Sequence, residues 1–488
     1  MEAYPLTTSN VEESLDPGDW EELRRLGHRM VDDALEHLRT VRERPVWQSP
    51  PDAVRARLDE PLPRRGQGYE KTYRDFVEGV LPYPTGNIHP RFWGWVIGTG
   101  TPFTVLTEML AATVNPNVSG FDDASSLVED RVLAWFKEAM GFPATASGLL
   151  VSGGSMANLV GLAVARHAQA GFDVRREGQG AAPRRMVFYA SVEAHSSVRK
   201  AAELLGLGSD ALRLVPVDTD YRIDLSALRD AIESDRKAGF QPFCVVGTAG
   251  TVNTGATDDL DALADVCKKH GLWFHVDGAF AALAALSPEL KARLGGMARA
   301  DSLAFDPHKW GYFPIEVGCV LVRHPETLRA AFTTTAAYLA AGEGGIAGRT
   351  DRFADRGMQL TRGFKALKVW MGLKAEGTEK LGRLIRQNVD QAAYLAGRVR
   401  ETSELELVAP APLNIVCFRY RGSGAGDLDR TNKAILVRLH ESGIAAPSYT
   451  TLGGRYALRV CITNHRTRRE DLDLLVRDVV RLGRELSR

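Results

Sequence analysis

The sequence predicts an α/β protein: a mainly parallel sheet covered on both faces by helices, with a helical arm before it and a small α/β domain after it. Two observations carry this. Between about Gly148 and Arg323, short apolar runs alternate with stretches of helical periodicity, the pattern of strand–helix–strand units feeding one buried sheet. After this region the chain returns to one long helical stretch and then to short strand-like runs.

The strand candidates are MVFYA at 186–190, LRLVPV at 212–217, FCVVGT at 243–248, LWFHVD at 272–277, SLAF at 302–305 and GCVLV at 318–322. Each is short, apolar and bounded by polar or turn-forming residues, as strands buried on both faces are. Ahead of them, Leu23, Leu26, Met30, Val31, Ala34, Leu35 and Leu38 recur at helical spacing between Trp20 and Val41, behind a start signal at Asp16 and Pro17. A Pro-rich stretch from Arg44 to Pro63 then reads as an extended arm, and Tyr69 to Val80 as a second helix. Past the sheet, Thr361 to Leu395 reads as helix, 414–420 and 456–462 as strands, and Asp429 to Ser442 as a helix. The expected divisions are 1–85 for an N-terminal helical, dimerising segment, 86–375 for the large α/β domain and 376–488 for the small one.

A chain of 488 residues is too long for one compact core. Its 61 basic and 61 acidic side chains cancel, which removes the electrostatic reason to bind nucleic acid or an anionic membrane. The most apolar long stretch, 148–165, is broken by Ser152, Ser155 and Asn158 and does not read as a membrane span. The acidic N-terminal residues do not resemble a targeting peptide. Five cysteines without paired metal spacing, most of them in apolar runs, suit a reducing, cytoplasmic setting.

Chemistry concentrates at four places. In SLAFDPHKW at 302–310 a strand ends in a turn that presents His308 and Lys309. About thirty residues earlier, FHVDGAF at 274–280 ends a strand on Asp277. Alone, Lys309 would read as a solvated lysine and Asp277 as a helix cap. Together they are what pyridoxal 5'-phosphate (PLP) requires: an amine for a Schiff base and a carboxylate that keeps the pyridine nitrogen protonated. Both fall at carboxyl ends of strands, where open α/β sheets bind ligands. SGGSMANL at 152–159 opens a helix with two glycines and Ser155, a cradle for a phosphate dianion. His195, in EAHSSVRKA at 193–201, is placed to cover the ring.

With these elements in this order, the chain resembles the group II PLP-dependent decarboxylases, the family of aromatic L-amino acid, tyrosine and glutamate decarboxylases. The motifs that carry the resemblance are HVDGA and DPHKW at their separation, and the similarity runs over nearly the whole chain. It implies the PLP-dependent transferase-like fold (fold type I), with a seven-stranded, mainly parallel sheet. It implies that Lys309 bears the cofactor, that Asp277 faces the pyridine nitrogen, that Ala279 packs beneath the ring and that His195 stacks above it. Gly154 and Ser155 would hold the phosphate, with His308 beside the lysine, Thr248 near the cofactor and Asp258 as a supporting acid. Asp306 stands where animal aromatic decarboxylases have an asparagine that helps hold the phosphate, so it inherits no such contact.

The resemblance further places Tyr338, in the Gly- and Ala-rich stretch 333–348, as the proton donor to the substrate carbon, which favours amine formation over aldehyde formation. It places Trp95 in the side-chain pocket, Gly98 or Thr99 near the substrate carboxylate, and Arg362 near the active site. Trp93 and Trp95 point to tryptophan, tyrosine, phenylalanine or dihydroxyphenylalanine as substrate, with valine-like or acidic amino acids as the alternative. A homodimer with shared active sites is implied as well. The competing readings are another PLP reaction on the same scaffold and a catalytically silent homologue. A Rossmann-type dehydrogenase is disfavoured because Gly153-Gly154 does not sit in a G-x-G-x-x-G turn.

Overall fold

The structure is a computed structural model, and it describes residues 13–334, 344–422 and 427–487. The chain divides into two compact units, residues 1–44 with 49–84, and residues 45–48 with 85–488. The segment 376–488 shares one unit with the large sheet, because its small sheet and the large one pack parts of a common apolar core.

The N-terminal unit holds three α-helices among its described residues, Trp20–Arg39, Asp52–Leu58 and Tyr69–Gly79, and a 3-10 turn at Val41–Glu43. The first begins one turn later than the Asp16-Pro17 signal, because Asp19 caps it by accepting from the backbone N–H groups of Glu21 and Glu22. The stretch expected to be an extended arm contains the short helix Asp52–Leu58. Arg29 pairs with Glu70 at 2.6 Å, and the Tyr73 hydroxyl donates to Asp33 at 2.6 Å. These polar ties join the first and third helices, yet Trp20, Met30, Tyr69 and Phe76 remain exposed.

Twelve strands occur among the described residues: β1 (Phe92–Trp93), β2 (Ser147–Val151), β3 (Met186–Ser191), β4 (Leu212–Val215), β5 (Gln241–Thr248), β6 (Trp273–Asp277), β7 (Ser302–Phe305), β8 (Gly318–Val322), β9 (Leu405–Leu407), β10 (Ile415–Tyr420), β11 (Ala446–Leu452) and β12 (Arg455–Cys461). The large sheet has seven strands in the order β2-β8-β7-β6-β5-β3-β4. Strands β4, β3, β5, β6 and β7 are parallel neighbours, while β8 is antiparallel to both β7 and β2. Two reversals cancel, so β2 runs in the same direction as β7. The turns that follow β2, β5, β6 and β7 consequently gather along one edge.

The smaller sheet has the order β1-β11-β12-β10-β9. Its edge strand β1 comes from far upstream and pairs in parallel with β11, Phe92 against Ala446 and Trp93 against Pro447. The helical stretch 361–395 is in fact two helices, Lys365–Glu376 and Thr378–Glu401, separated at Gly377, whose φ of +73° ends the first. Among the described residues no helix is long and apolar enough to cross a membrane, and all five cysteines are buried and free.

Candidate active site

Register sets the site. In the sheet, Thr248 at the end of β5 pairs with Asp277 at the end of β6, and Asp277 in turn pairs with Ala304 near the end of β7. Five residues past Ala304 the chain reaches Lys309, in the one-turn helix Pro307–Trp310. From the far side of β8, β2 delivers Ser152, Gly153 and Gly154 and starts the helix Gly154–Gln169. These segments enclose a cavity of about 480 Å³, within the range of about 300–1,000 Å³ usual for small-molecule sites. Lys309, Asp277, His195, His308, Thr248, Ala279, Gly154, Ser155 and Trp95 all lie on its wall.

The glycines at the β2 turn are required by close approach. A Cβ on Gly154 would fall 2.8 Å from both the Ala279 Cβ and Asp306 Oδ2, and one on Gly153 would fall 3.2 Å from His308 Cε1. Asp277 is buried, and its carboxylate accepts from Asn158 Nδ2 at 2.9 Å and from the backbone N–H of Ala279 at 3.1 Å. His195 precedes the helix Ser196–Leu204, and its Nδ1 accepts from the Ser197 N–H at 3.2 Å. Burial lowers the His195 pKa, with the Asp277 charge opposing. His308 is likewise shifted down by burial, and its Nδ1 accepts from the Val317 N–H at 3.1 Å. Both imidazoles thus favour the neutral form.

Asp258 is fully buried, and burial pushes its carboxyl up to about 6 against the effect of two backbone donors, Ile223 N–H at 2.8 Å and Thr248 N–H at 2.7 Å. It ties down the end of β5 and thereby the placement of Thr248. Asp306 is 2% exposed, and its Oδ2 lies 2.8 Å from Lys309 Nζ.

Several expected residues sit elsewhere. Arg362 is buried away from the cavity wall: its guanidinium meets Glu129 at 2.5 Å and donates to the carbonyls of Val118 and Leu150 at 2.6 and 2.8 Å. Its charge is committed to a buried carboxylate, which corrects its expected place beside the substrate. Trp93 is entirely buried in the core of the smaller sheet, with its indole N–H directed to Thr467 Oγ1, so of the two tryptophans only Trp95 reaches the cavity. Gly98 lies behind the wall, where a Cβ would meet the carbonyl oxygens of His308 and Lys309 at 1.8 and 2.6 Å. Thr99 is buried and its hydroxyl donates to the Gly100 carbonyl at 3.0 Å. Tyr338 lies outside the described residues.

The sequence reading missed Asn158, Phe280, Ile315 and Glu316, which also line the cavity. For Asn158 a signal existed: it is the polar residue one helical turn past the Gly154 start, in an otherwise apolar run. Ile315 and Glu316 lie in a loop with no periodic signal.

The wall fits PLP on its own evidence. It combines a primary amine, a buried carboxylate across β6, a turn too tight for side chains at the helix start, and the buried Thr248 Oγ1, which has no hydrogen-bond partner within the protein. Comparison with known proteins agrees. Residues 51–421 match the pyridoxal-dependent decarboxylase conserved domain. The aromatic-L-amino-acid decarboxylase of Bacillus atrophaeus is 35% identical over 96% of both chains. Among solved structures, the Oryza sativa TDC with PLP and tryptamine superposes with a TM-score of 0.89 at 27% identity, covering 97% of this chain and 100% of that one. The Catharanthus roseus tryptophan decarboxylase in complex with L-tryptophan gives a TM-score of 0.86 at 28% identity, covering 97% and 100%. On the family match and on this architecture, the chain belongs to the pyridoxal-dependent decarboxylases.

Proposed function

We propose that the protein decarboxylates an aromatic L-amino acid to its amine and CO2, with Lys309 as the residue that holds PLP. The observation that carries the substrate class is the cavity wall: Trp95, Val96, Phe280 and Ile315 share it with Lys309 and Asp277, so an apolar, flat side chain has surface to pack on. When bound, PLP supplies the conjugated system that accepts the electrons of the breaking bond to the carboxylate.

The chain's own groups do the rest. Asp277 keeps a proton at the pyridine nitrogen, because an adjacent anion favours that protonated form. His195 and Ala279, both on the cavity wall, would hold the ring between them, Ala279 being small enough to lie close. Gly154 and Ser155 bind the phosphate with the helix start, and Thr248 offers its free hydroxyl. His308 sits beside Lys309 on the cavity wall. Tyr338 returns the proton to the substrate carbon.

A homodimer with shared sites is supported by the exposed Trp20, Met30, Tyr69 and Phe76 of the N-terminal unit. A cytoplasmic setting is supported by the five free, buried cysteines.

The test is a screen of L-amino acids with the PLP-loaded enzyme, measuring CO2, amine and hydrogen peroxide. Release of CO2 and amine in equal amounts from aromatic substrates is expected. Peroxide with aldehyde would replace this reading by the oxidative one, and turnover of acidic substrates alone would overturn the substrate class. Lys309→Ala is expected to lose turnover and borohydride-trappable cofactor while keeping its fold; covalent cofactor retained in that variant refutes the assignment.

A further inference from the structure

Behind the cavity a chain of buried polar groups runs from the middle of the sheet to both cofactor-facing residues. Trp273 Nε1 lies 2.8 Å from Ser302 Oγ, which lies 2.8 Å from His275 Nδ1. His275 Nε2 lies 3.0 Å from Asn158 Oδ1. The Asn158 amide nitrogen then reaches Asp277 Oδ2 at 2.9 Å and Ser197 Oγ at 3.0 Å, and Ser197 Oγ lies 2.8 Å from His195 Nδ1. Trp273, Ser302, His275, Asn158, Ser197 and Asp277 are all buried.

The direction of every bond follows from its ends. An indole N–H only donates and a carboxylate only accepts. Asn158 must therefore turn its NH2 group to Asp277, and the second hydrogen of that group goes to Ser197. Its carbonyl is left to accept, so His275 carries its proton on Nε2. Burial pushes the His275 pKa down to about 4, which leaves Nδ1 bare to accept the Ser302 hydroxyl proton. Ser302 in turn accepts from Trp273. On the other branch Ser197, having accepted from Asn158, donates its hydroxyl proton to His195 Nδ1, which already accepts the Ser197 N–H. The neutral His195 then carries its proton on Nε2. No member is left with two donors or two acceptors facing each other.

We propose that Asn158 is a positioning residue that aims the Asp277 carboxylate and, through Ser197, sets the His195 tautomer, with His275 and Ser302 fixing its orientation from behind. The two residues that face the cofactor ring are thereby oriented by one amide. Such a network is stable only while each member is satisfied, so reversing one donor disturbs both branches.

The proposal rests on the cofactor assignment above, and the experiment keeps the two apart. Asn158→Asp and Asn158→Ala would be compared with the wild type for PLP affinity, by titration of the cofactor-free protein, for the visible absorbance of the loaded protein, and for kcat. Asn158→Asp keeps the shape but sets a second carboxylate against Asp277, and two such groups share one proton. It is expected to weaken PLP binding by more than Asn158→Ala does, with a shifted visible band; Asn158→Ala, which removes one charge-assisted bond, is expected to lose about tenfold to a hundredfold. A residue that merely fills space would give the opposite order, and that order overturns the proposal. Should both variants fail to fold, Ser302→Ala, which lies off the cavity wall, decides: PLP affinity reduced about threefold or more supports the chain, and unchanged affinity overturns it. A wild-type protein that takes up no PLP would instead sink the cofactor assignment itself.

Discussion

Replacing Arg362 by methionine separates two roles that the sequence leaves open. Arg362 is 3% exposed and its partner Glu129 is fully buried. Glu129 Oε1 also accepts from the Leu150 N–H at 3.2 Å, and the guanidinium lies 5.0 Å above the Phe353 ring. Methionine fills much of the volume but leaves a buried carboxylate with the Leu150 N–H and no counter-charge, and takes the guanidinium from two carbonyls. Breaking a buried pair in this way costs about 3–5 kcal/mol. The unit concerned has about 400 residues, and at ~2.1 cal/mol/K per residue the corresponding fall in Tm is about 4–6 °C. The assay is thermal unfolding of the PLP-loaded protein alongside KM for its best substrate. The expected result is the fall in Tm with KM nearly unchanged, and partial recovery when Glu129→Met is added, because the stranded charge is then gone. A wild-type Tm with a raised KM would refute this reasoning and return Arg362 to the substrate.

Two further expectations concern titration and the proton donor. Burial holds the His465 pKa down at about 4, below its ordinary value of 6.5. The folded state thus prefers the neutral ring, and the stability this provides is complete above pH 6.5 and is lost as pH falls from 6.5 to 4, by ~3 kcal/mol. Urea unfolding at pH 7 and pH 4.5 checks it: His465→Gln should lose less stability over that interval than the wild type, and an equal loss would remove His465 from the account. Tyr338→Phe should cut amine formation by about a hundredfold or more, as loss of a general acid does, with PLP affinity retained; unchanged amine output would exclude Tyr338 as the proton donor.

The sheet was legible because its strands are buried on both faces and read as unbroken apolar runs; five of the six runs begin within one residue of a strand start, and FCVVGT begins two residues inside β5. The pairing of β1 with β11 was not legible, since no local pattern records a partner more than 300 residues away; nor was the direction of β8, since a strand buried on both faces carries the same apolar run whichever way it lies beside β7. The same limit explains Trp93 and Arg362. A tryptophan two residues from a pocket tryptophan looks alike in sequence, and strand alternation would put both on one face; but β1 ends at Trp93 and the backbone turns at Trp95, whose φ is +50°, so Trp93 enters the core and Trp95 reaches the cavity. An arginine near a helix start gives no sign of a carboxylate 233 positions upstream. Lys309 and Asp277, by contrast, were found together because strand ends mark themselves and the two chemistries complement each other.

Asp306 is where this chain departs from the asparagine of the animal aromatic enzymes, and the geometry gives the departure a consequence. Its Oδ2 is 2.8 Å from Lys309 Nζ and also 2.8 Å from where a Gly154 Cβ would be, so one carboxylate borders both the lysine and the phosphate turn. Its Oδ1 is buried without a hydrogen-bond partner in the protein. A phosphate dianion at that turn meets a like charge in a poorly screened place, whereas the lysine gains a counter-ion. Asp306→Asn removes both effects, and the phosphate separates them. Affinity for PLP should rise relative to affinity for pyridoxal, which lacks the phosphate, by on the order of tenfold. If both ligands shift together, the carboxylate acts through Lys309 alone; if PLP binding weakens while pyridoxal binding does not, the phosphate is held by Asp306 and not repelled, and the placement of the dianion at Gly154 has to be abandoned.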